Sequence, residues 1–181
     1  MRFSVVSIIA ALAAVATANT IEFINQDTTT RTVYFTPSAG MAAIKSVTLG
    51  AGALNTTSVT FPTGWIGNWY SVNKGAQNVP GMLGEVAWNG WAGNHYFDVS
   101  AIVNAKDNNG VKMMYPKKSL KPVSGCQDFG KTCTNAYNLP DDIQTLATTE
   151  DTIVCLLGTK SSSGSVSRRH AREFITGDHA E

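Results

Sequence analysis

The stretch LGEVAWNGWAGNHYFDVSAIVNAKDNNGVKMMYP, residues 83–116, decides the fold. Two apolar runs, residues 83–88 and 96–103, flank a turn segment rich in glycine and asparagine at residues 89–94. Short apolar runs on either side of such a turn are typical of a β-hairpin. The sequence therefore predicts two neighbouring antiparallel strands at the centre of the chain.

The hairpin predicts that two acids face each other. If the turn is centred between Trp91 and Ala92, antiparallel pairing places Glu85 directly opposite Asp98. Opposed side chains on one face lie about 5 Å apart at their β-carbons, where like charges destabilise a sheet. A slip of one residue would put the acids on opposite faces. In the predicted register, the pair calls for a counter-cation, a shared proton or a bound sugar.

The rest of the chain has the pattern of an all-β domain. Short runs rich in valine, isoleucine, threonine and aromatic residues alternate with glycine and proline, and no long stretch has helical periodicity. This pattern indicates a β-sandwich or barrel. A short late helix is predicted at residues 140–146, where proline and acids stand in the first turn. Strands are predicted at residues 21–25, 31–36, 44–49, 58–61, 65–72 and 152–157.

Both ends of the chain differ from this pattern. Residues 1–18 have one arginine, an apolar centre and a small-residue end, which predicts a secretory signal peptide. Residues 19–159 are long enough for one domain, and residues 160–181 are polar and serine-rich, which predicts a disordered tail. The formal net charge is +1, so the composition favours neither a nucleic-acid nor a membrane partner.

The three cysteines, in a secreted chain, predict one disulfide and one remaining thiol. A Cys133–Cys155 bridge, our first choice, would tie the last strand to the body of the domain. Cys126 is the alternative partner, and a Cys126–Cys133 bridge would close only a small loop. No histidine stands at ligand spacing from these cysteines, so neither a metal site nor a cofactor is predicted.

Several motifs resemble those of thaumatin-like proteins, and more closely the small secreted CetA/CalA-type group of filamentous fungi. The resemblance implies an antiparallel β-sandwich with a short late helix and few disulfides. It also implies a protein of the cell wall or conidial surface, with a role in conidial germination and wall remodelling. The motifs that carry it are GEV at 84–86, YFDVS at 96–100, DNNGVKM at 107–113, CTNAY at 133–137, PDD at 140–142 and IVC at 153–155.

The resemblance implies a cleft formed by Glu85, Asp98 and Asp107, to which we add the aromatic residues Trp91 and Tyr96. Asn68 stands where the family has an arginine. We expect the cleft to bind β-glucan without catalysis. One alternative is a weak endo-β-1,3-glucanase in which Glu85 and Asp98 act as the acid pair. Another is an adhesin or invasin that binds a host surface protein.

Each of these residues also has a purely structural interpretation. An acid beside a turn can accept hydrogen bonds from loop amides, and most tryptophans of a β domain belong to its core. Trp91, at the loop tip, is the aromatic residue expected to be exposed. His95 is expected to form a hydrogen bond at the turn rather than act as a base. Asn55 begins the sequon Asn-Thr-Thr, which predicts an N-linked glycan.

Overall fold

The structure is a computed structural model that describes residues 18–52, 55–107, 110–129 and 133–159. The predicted disordered tail and all but the last residue of the predicted signal peptide lie outside the described residues. Nearly all regular structure in the described part is β. The strands are β1 (Thr20–Asn25), β2 (Arg31–Pro37), β3 (Val47–Leu49), β4 (Thr56–Thr60), β5 (Ile66–Asn73), β6 (Leu83–Ala87), β7 (His95–Ser100), β8 (Val111–Pro116), β9 (Ser124–Gly125), β10 (Leu146–Thr148) and β11 (Thr152–Leu157).

The strands form two sheets that pack face to face around one core. One sheet has the strand order β4-β1-β11-β8-β9 and the other β10-β7-β6-β5-β2-β3. The first and last strands, β1 and β11, pair in parallel, whereas the other strand pairs are antiparallel. The all-β class is thus confirmed. The expectation of a purely antiparallel sandwich is wrong, because β1 and β11 pair in parallel.

Trp69 anchors the core between the two sheets. Its fully buried indole packs edge-on against Phe23 of the opposite sheet, with ring centroids 5.6 Å apart, and its Nε1–H donates to Cys155 Sγ at 3.4 Å. The neighbouring strand leaves room for this ring with Gly84, where an added β-carbon would lie 2.6 Å from the indole. Trp65 and Trp88 are also buried, as expected of core residues.

The disulfide joins Cys126 to Cys133, with Cα atoms 5.8 Å apart, so the preferred Cys133–Cys155 pairing is wrong. Cys155 occupies an inward position in the middle of β11, where it packs in the core and accepts from the Trp69 indole. Cys126 lies just after the short strand β9, and Cys133 returns to it after a short loop. The structure thus has the small-loop alternative.

Cys155 is expected to be inert towards thiol reagents in the folded protein. Burial raises the pKa of its thiol to about 12, and the thiolate is the reactive species. Ellman's reagent should therefore detect less than about 0.1 thiol per native molecule and one thiol per molecule unfolded in guanidinium chloride. A full equivalent released from the native protein within minutes would contradict the buried position. Cys155→Ala should abolish the signal in denaturant.

The predicted helix at residues 140–146 is wrong. The Asp142 carboxylate accepts hydrogen bonds from the backbone amides of Asn138 and Leu139, at 2.7 and 2.8 Å, and these bonds also lower the pKa of Asp142. Such side-chain bonds to nearby backbone compete with helix formation. The segment instead turns back and enters β10 at Leu146, at the edge of the six-stranded sheet.

Candidate functional site

The outer face of the six-stranded sheet carries a row of polar side chains. The register aligns Thr36 with Asn68, Asn68 with Glu85, and Glu85 with Asp98 across four neighbouring strands. Because Val86 and Phe97 of the same hairpin point into the core, the alternation of a strand directs Glu85 and Asp98 to the opposite face. The predicted pairing of the two acids is confirmed.

Asp98 has an unusually high proton affinity. Its pKa is raised from 3.8 to about 7, mainly by burial and further by the charge of Glu85 and a hydrogen bond with that residue. Its Oδ1 is buried and accepts no hydrogen bond from a described residue. A protonated Asp98 donates from this carboxyl group to Glu85, which turns a repulsive pair into a hydrogen-bonded one. A proton on Asp98 therefore relieves the repulsion between the two facing acids.

The other oxygen of Asp98 belongs to a short hydrogen-bond chain. The Thr145 hydroxyl donates to Asp98 Oδ2 at 3.2 Å, and the Tyr137 hydroxyl lies 2.8 Å from the Thr145 oxygen. This bond opposes the rise in the pKa of Asp98 but does not cancel it. Sequence reasoning missed Thr145 and Tyr137 because the segment before β10 was predicted to be helical.

Aromatic rings stand beside the polar row. Tyr34 and Tyr70 face each other in the register of β2 and β5, with stacked rings whose centroids are 5.5 Å apart. Tyr96 lies on the same face, two residues before Asp98 in β7, and its hydroxyl donates to the Trp91 carbonyl at 3.3 Å. Flat rings next to hydroxyl-binding carboxyl groups offer both a stacking surface and hydrogen-bond partners.

Three other residues were predicted to belong to the cleft. Tyr96 lies on the same face as the acid pair, whereas Trp91 and Asp107 lie outside the polar row. Trp91 is 81% exposed in the short 3₁₀ turn Trp91–Gly93, which confirms that the loop tip presents it to solvent. The Asp107 carboxylate accepts from the backbone amides of Met82 and Gly110 at 2.8 and 2.9 Å. It ties two loops together at one end of the sandwich.

Two further residues take the roles that the sequence predicts or permits. His95 is buried, its Nδ1 accepts from the Asn89 amide at 3.0 Å and its Nε2 lies 3.2 Å from Asp151, so it stabilises the hairpin loop as expected. Asn55 is exposed at the entry to β4, where its side-chain amide donates to the Ala51 carbonyl at 2.6 Å. Glycosylation of Asn55 stays a prediction.

The acid pair is better suited to binding than to glycoside hydrolysis. Retaining glycosidases hold their two carboxyl groups about 5–5.5 Å apart, and inverting enzymes further apart, so that a sugar carbon or a water fits between them. The Glu85 and Asp98 carboxyl groups come from directly opposed residues, and Asp98 is only 7% exposed, which leaves little access for a sugar carbon or a water between them. Within the described residues, no group of three or more histidine, cysteine or acidic side chains is arranged to hold a metal ion.

The chain is similar to two fungal proteins. The antigenic protein SchS21 of Stachybotrys chartarum is 51% identical over 142 residues, which cover 78% of this chain and 96% of that protein. The protein elicitor MoHrip2 from Magnaporthe oryzae has a solved structure that matches with a TM-score of 0.57 and 18% identity, over 78% of this chain and 100% of that one. No family model matches the chain.

These findings overturn the thaumatin-like resemblance. Both similar proteins lie outside that family, and the motifs that carried the resemblance are mostly strand segments. Sequences such as YFDVS at 96–100 alternate between core and solvent, a pattern that any half-buried strand satisfies. Motifs of this kind locate some strands, here β6, β7 and β11, but do not identify the family. Among the described residues, no helix is long and apolar enough to span a membrane.

Proposed function

From the premise that the chain belongs to the family of the antigenic protein SchS21, we propose that it is a secreted, cell-wall-associated protein that binds β-glucan without cleaving it. The observation that carries the proposal is the outer face of the six-stranded sheet, where the acid pair Glu85–Asp98 lies beside the tyrosines. A role in conidial germination depended on the thaumatin-like resemblance and is not part of the proposal.

The chemistry of the face suits a polyhydroxylated chain. Glu85 can accept hydrogen bonds from sugar hydroxyls, and the side-chain amide of Asn68, its partner in the register, can donate one, so the row offers both kinds of partner. The stacked Tyr34 and Tyr70 rings lie on the two strands next to Glu85 in the same sheet, β5 and β2, and offer apolar surface to a sugar ring. A row of side chains held by strands is also more rigid than a site built on loops.

The test is retention of the protein without its signal peptide on insoluble β-1,3-glucan and on chitin, with soluble reducing ends assayed in the same tubes. We expect retention on glucan and no release of sugar. Glu85→Gln should weaken retention about 10- to 100-fold, because a hydrogen bond to a charged group contributes about 1.5–3 kcal/mol. Tyr70→Ala should weaken it comparably, while Lys45→Ala, on the exposed segment before β3, should not.

Two other outcomes of this experiment would contradict the proposal. Sugar release that is lost in Glu85→Gln would make the protein a glucanase and overturn the non-catalytic proposal. No retention on glucan, or retention that Glu85→Gln and Tyr70→Ala leave intact, would exclude the outer face as a glucan site.

A second candidate function, binding of a host surface protein, is favoured by exposed apolar side chains. Trp91, at the tip of the hairpin between β6 and β7, is 81% exposed, and Ile143, in the segment before β10, is 91% exposed. An exposed tryptophan at a loop tip offers an apolar anchor that a protein partner can bury. This function predicts saturable binding to host cells that soluble glucan does not compete away and that Trp91→Ala weakens. Loss of the binding when glucan is added would reject it.

A further inference from the structure

A surface cavity of about 250 Å³ lies at one end of the sandwich, away from the polar row. It is lined by Arg31 at the start of β2, by Ser71 and Asn73 at the end of β5, and by the loop after β5. Asp107 lies on its far side. Nothing in the function proposed above uses this cavity.

The cavity is lined by polar residues at positions where the strand pattern places core residues. Arg31 follows the inward alternation of Val33, and both are buried. Ser71 and Asn73 follow that of Trp69 in the same way. Polar side chains at core positions lower stability, and proteins retain them mainly at functional sites. The polar interior at this end of the sandwich therefore indicates a site.

Two atoms of the lining residues lack a hydrogen-bond partner among the described residues. Arg31 is 1% exposed, and its guanidinium is held by Asp27 and by Ser71 Oγ, yet Nε–H finds no acceptor. Asn73 Oδ1 is buried and finds no donor. Arg31 and Asn73 pair directly in the register of β2 and β5. A donor and an acceptor, both unused, therefore lie on neighbouring strands of one cavity.

The charges of the lining favour an uncharged ligand. The positive charge of Arg31 is compensated by Asp27, and Asp107 adds a carboxylate that backbone amides already stabilise. A free anion would find no unpaired cation among the described lining residues. A hydroxyl group, in contrast, can accept from one orphan atom and donate to the other. The remaining polar lining residues, Gln77 and Asn104, carry amides that suit hydroxyls equally well.

The volume sets the size of the ligand. Pockets for drug-sized ligands measure about 300–1,000 Å³, so this cavity suits something smaller. We infer that the cavity binds a single uncharged polyhydroxylated ring, such as one hexose unit, with Arg31 donating to and Asn73 accepting from its hydroxyls. The inference concerns a second site and does not depend on glucan binding by the outer face.

The experiment is an NMR titration of the folded chain with D-glucose, D-mannose and myo-inositol, with inorganic phosphate and acetate as ionic probes. The side-chain Nε–H signal of Arg31 reports directly on the orphan donor. At least one of the sugars or inositol should shift it saturably at millimolar concentrations, and the anions should not. Ala76→Phe, which adds a ring to the exposed loop over the cavity, should weaken binding at least tenfold, as should Asn73→Ala. Lys45→Ala should bind as the unaltered chain does.

The remaining outcomes overturn the inference. If the Arg31 signal shows no saturable shift at ligand concentrations up to about 100 mM, the cavity holds only water. A shift caused by phosphate or acetate would make the cavity an anion site. The two proposals fail separately, because Glu85→Gln should weaken glucan retention and leave the Arg31 signal responsive, whereas Ala76→Phe should weaken the response of the Arg31 signal and leave glucan retention unchanged. Backbone amide spectra of each variant verify that it is folded.

Discussion

Asp98→Asn is expected to raise the free energy of unfolding above pH 7 and to remove most of its change between about pH 4 and pH 8. The asparagine amide can donate to Glu85 at every pH, and its oxygen can still accept from the Thr145 hydroxyl. It therefore imitates the protonated acid. The gain at pH 8 has an upper limit of about 4 kcal/mol, which corresponds to the shift of the pKa from 3.8 to about 7.

The sign follows from the proton affinities of the folded and unfolded chains. Because the pKa of Asp98 is raised by folding, the folded state binds this proton more tightly than the unfolded state does. The stability that Asp98 contributes is fully present below about pH 4. It is lost as the pH rises towards about 7, where the folded protein must hold a buried carboxylate beside Glu85.

The measurement is urea unfolding of both proteins at a series of pH values, with the difference between them plotted against pH. Other titrating groups contribute equally to both curves and cancel. Glu85→Gln serves as the matched control, because it removes the neighbouring charge and leaves the burial of Asp98. It should reduce the pH dependence without abolishing it. A difference curve that stays flat for Asp98→Asn would show that Asp98 does not titrate in this range.

The pairing of the two acids could be predicted from the sequence because the register of a hairpin depends only on local signals. The Asn-Gly-rich turn centred the hairpin, and strict alternation then fixed which residues face each other, so Glu85 and Asp98 were paired correctly. The strand β8 was not predicted as such, since Lys112, which is buried at a shift in the register with β11, interrupts the apolar pattern that marks a strand. Polar residues at core positions, here and at Arg31, are what local pattern reasoning cannot place.

Contacts between distant parts of the chain could not be predicted from such local patterns. The parallel contact of β1 with β11 and the choice among three cysteines both depend on how the two sheets meet. Cys155 looks available for a bridge in the sequence, and only its position beneath Trp69 removes it. Thr145 was missed for a similar reason, since its bond to Asp98 spans 47 residues and requires the segment to be extended.

Asp27→Ala is expected to lower the free energy of unfolding by about 3–5 kcal/mol, because it leaves the buried guanidinium of Arg31 without its counter-charge. The pair fits tightly against the backbone at Gly158, where an added β-carbon would lie 2.5 Å from Asp27 Oδ2 and 2.7 Å from Arg31 Nη2. Lys112, whose charge repels that of Arg31, adds to the cost.

A double variant separates the buried charge from the loss of the turn that Asp27 also supports by accepting from the Thr29 amide at 2.8 Å. Asp27→Asn retains that acceptor and removes the charge, and combined with Arg31→Met it removes both charges of the pair. Because a buried pair contributes little net stability once both charges are removed, the double variant should recover most of the loss. If it unfolds as easily as Asp27→Asn alone, the uncompensated charge is not the cause. Recovery of stability together with loss of sugar binding, measured on the backbone amide signals of the other lining residues, would show that the chain retains Arg31 for binding at a cost in stability.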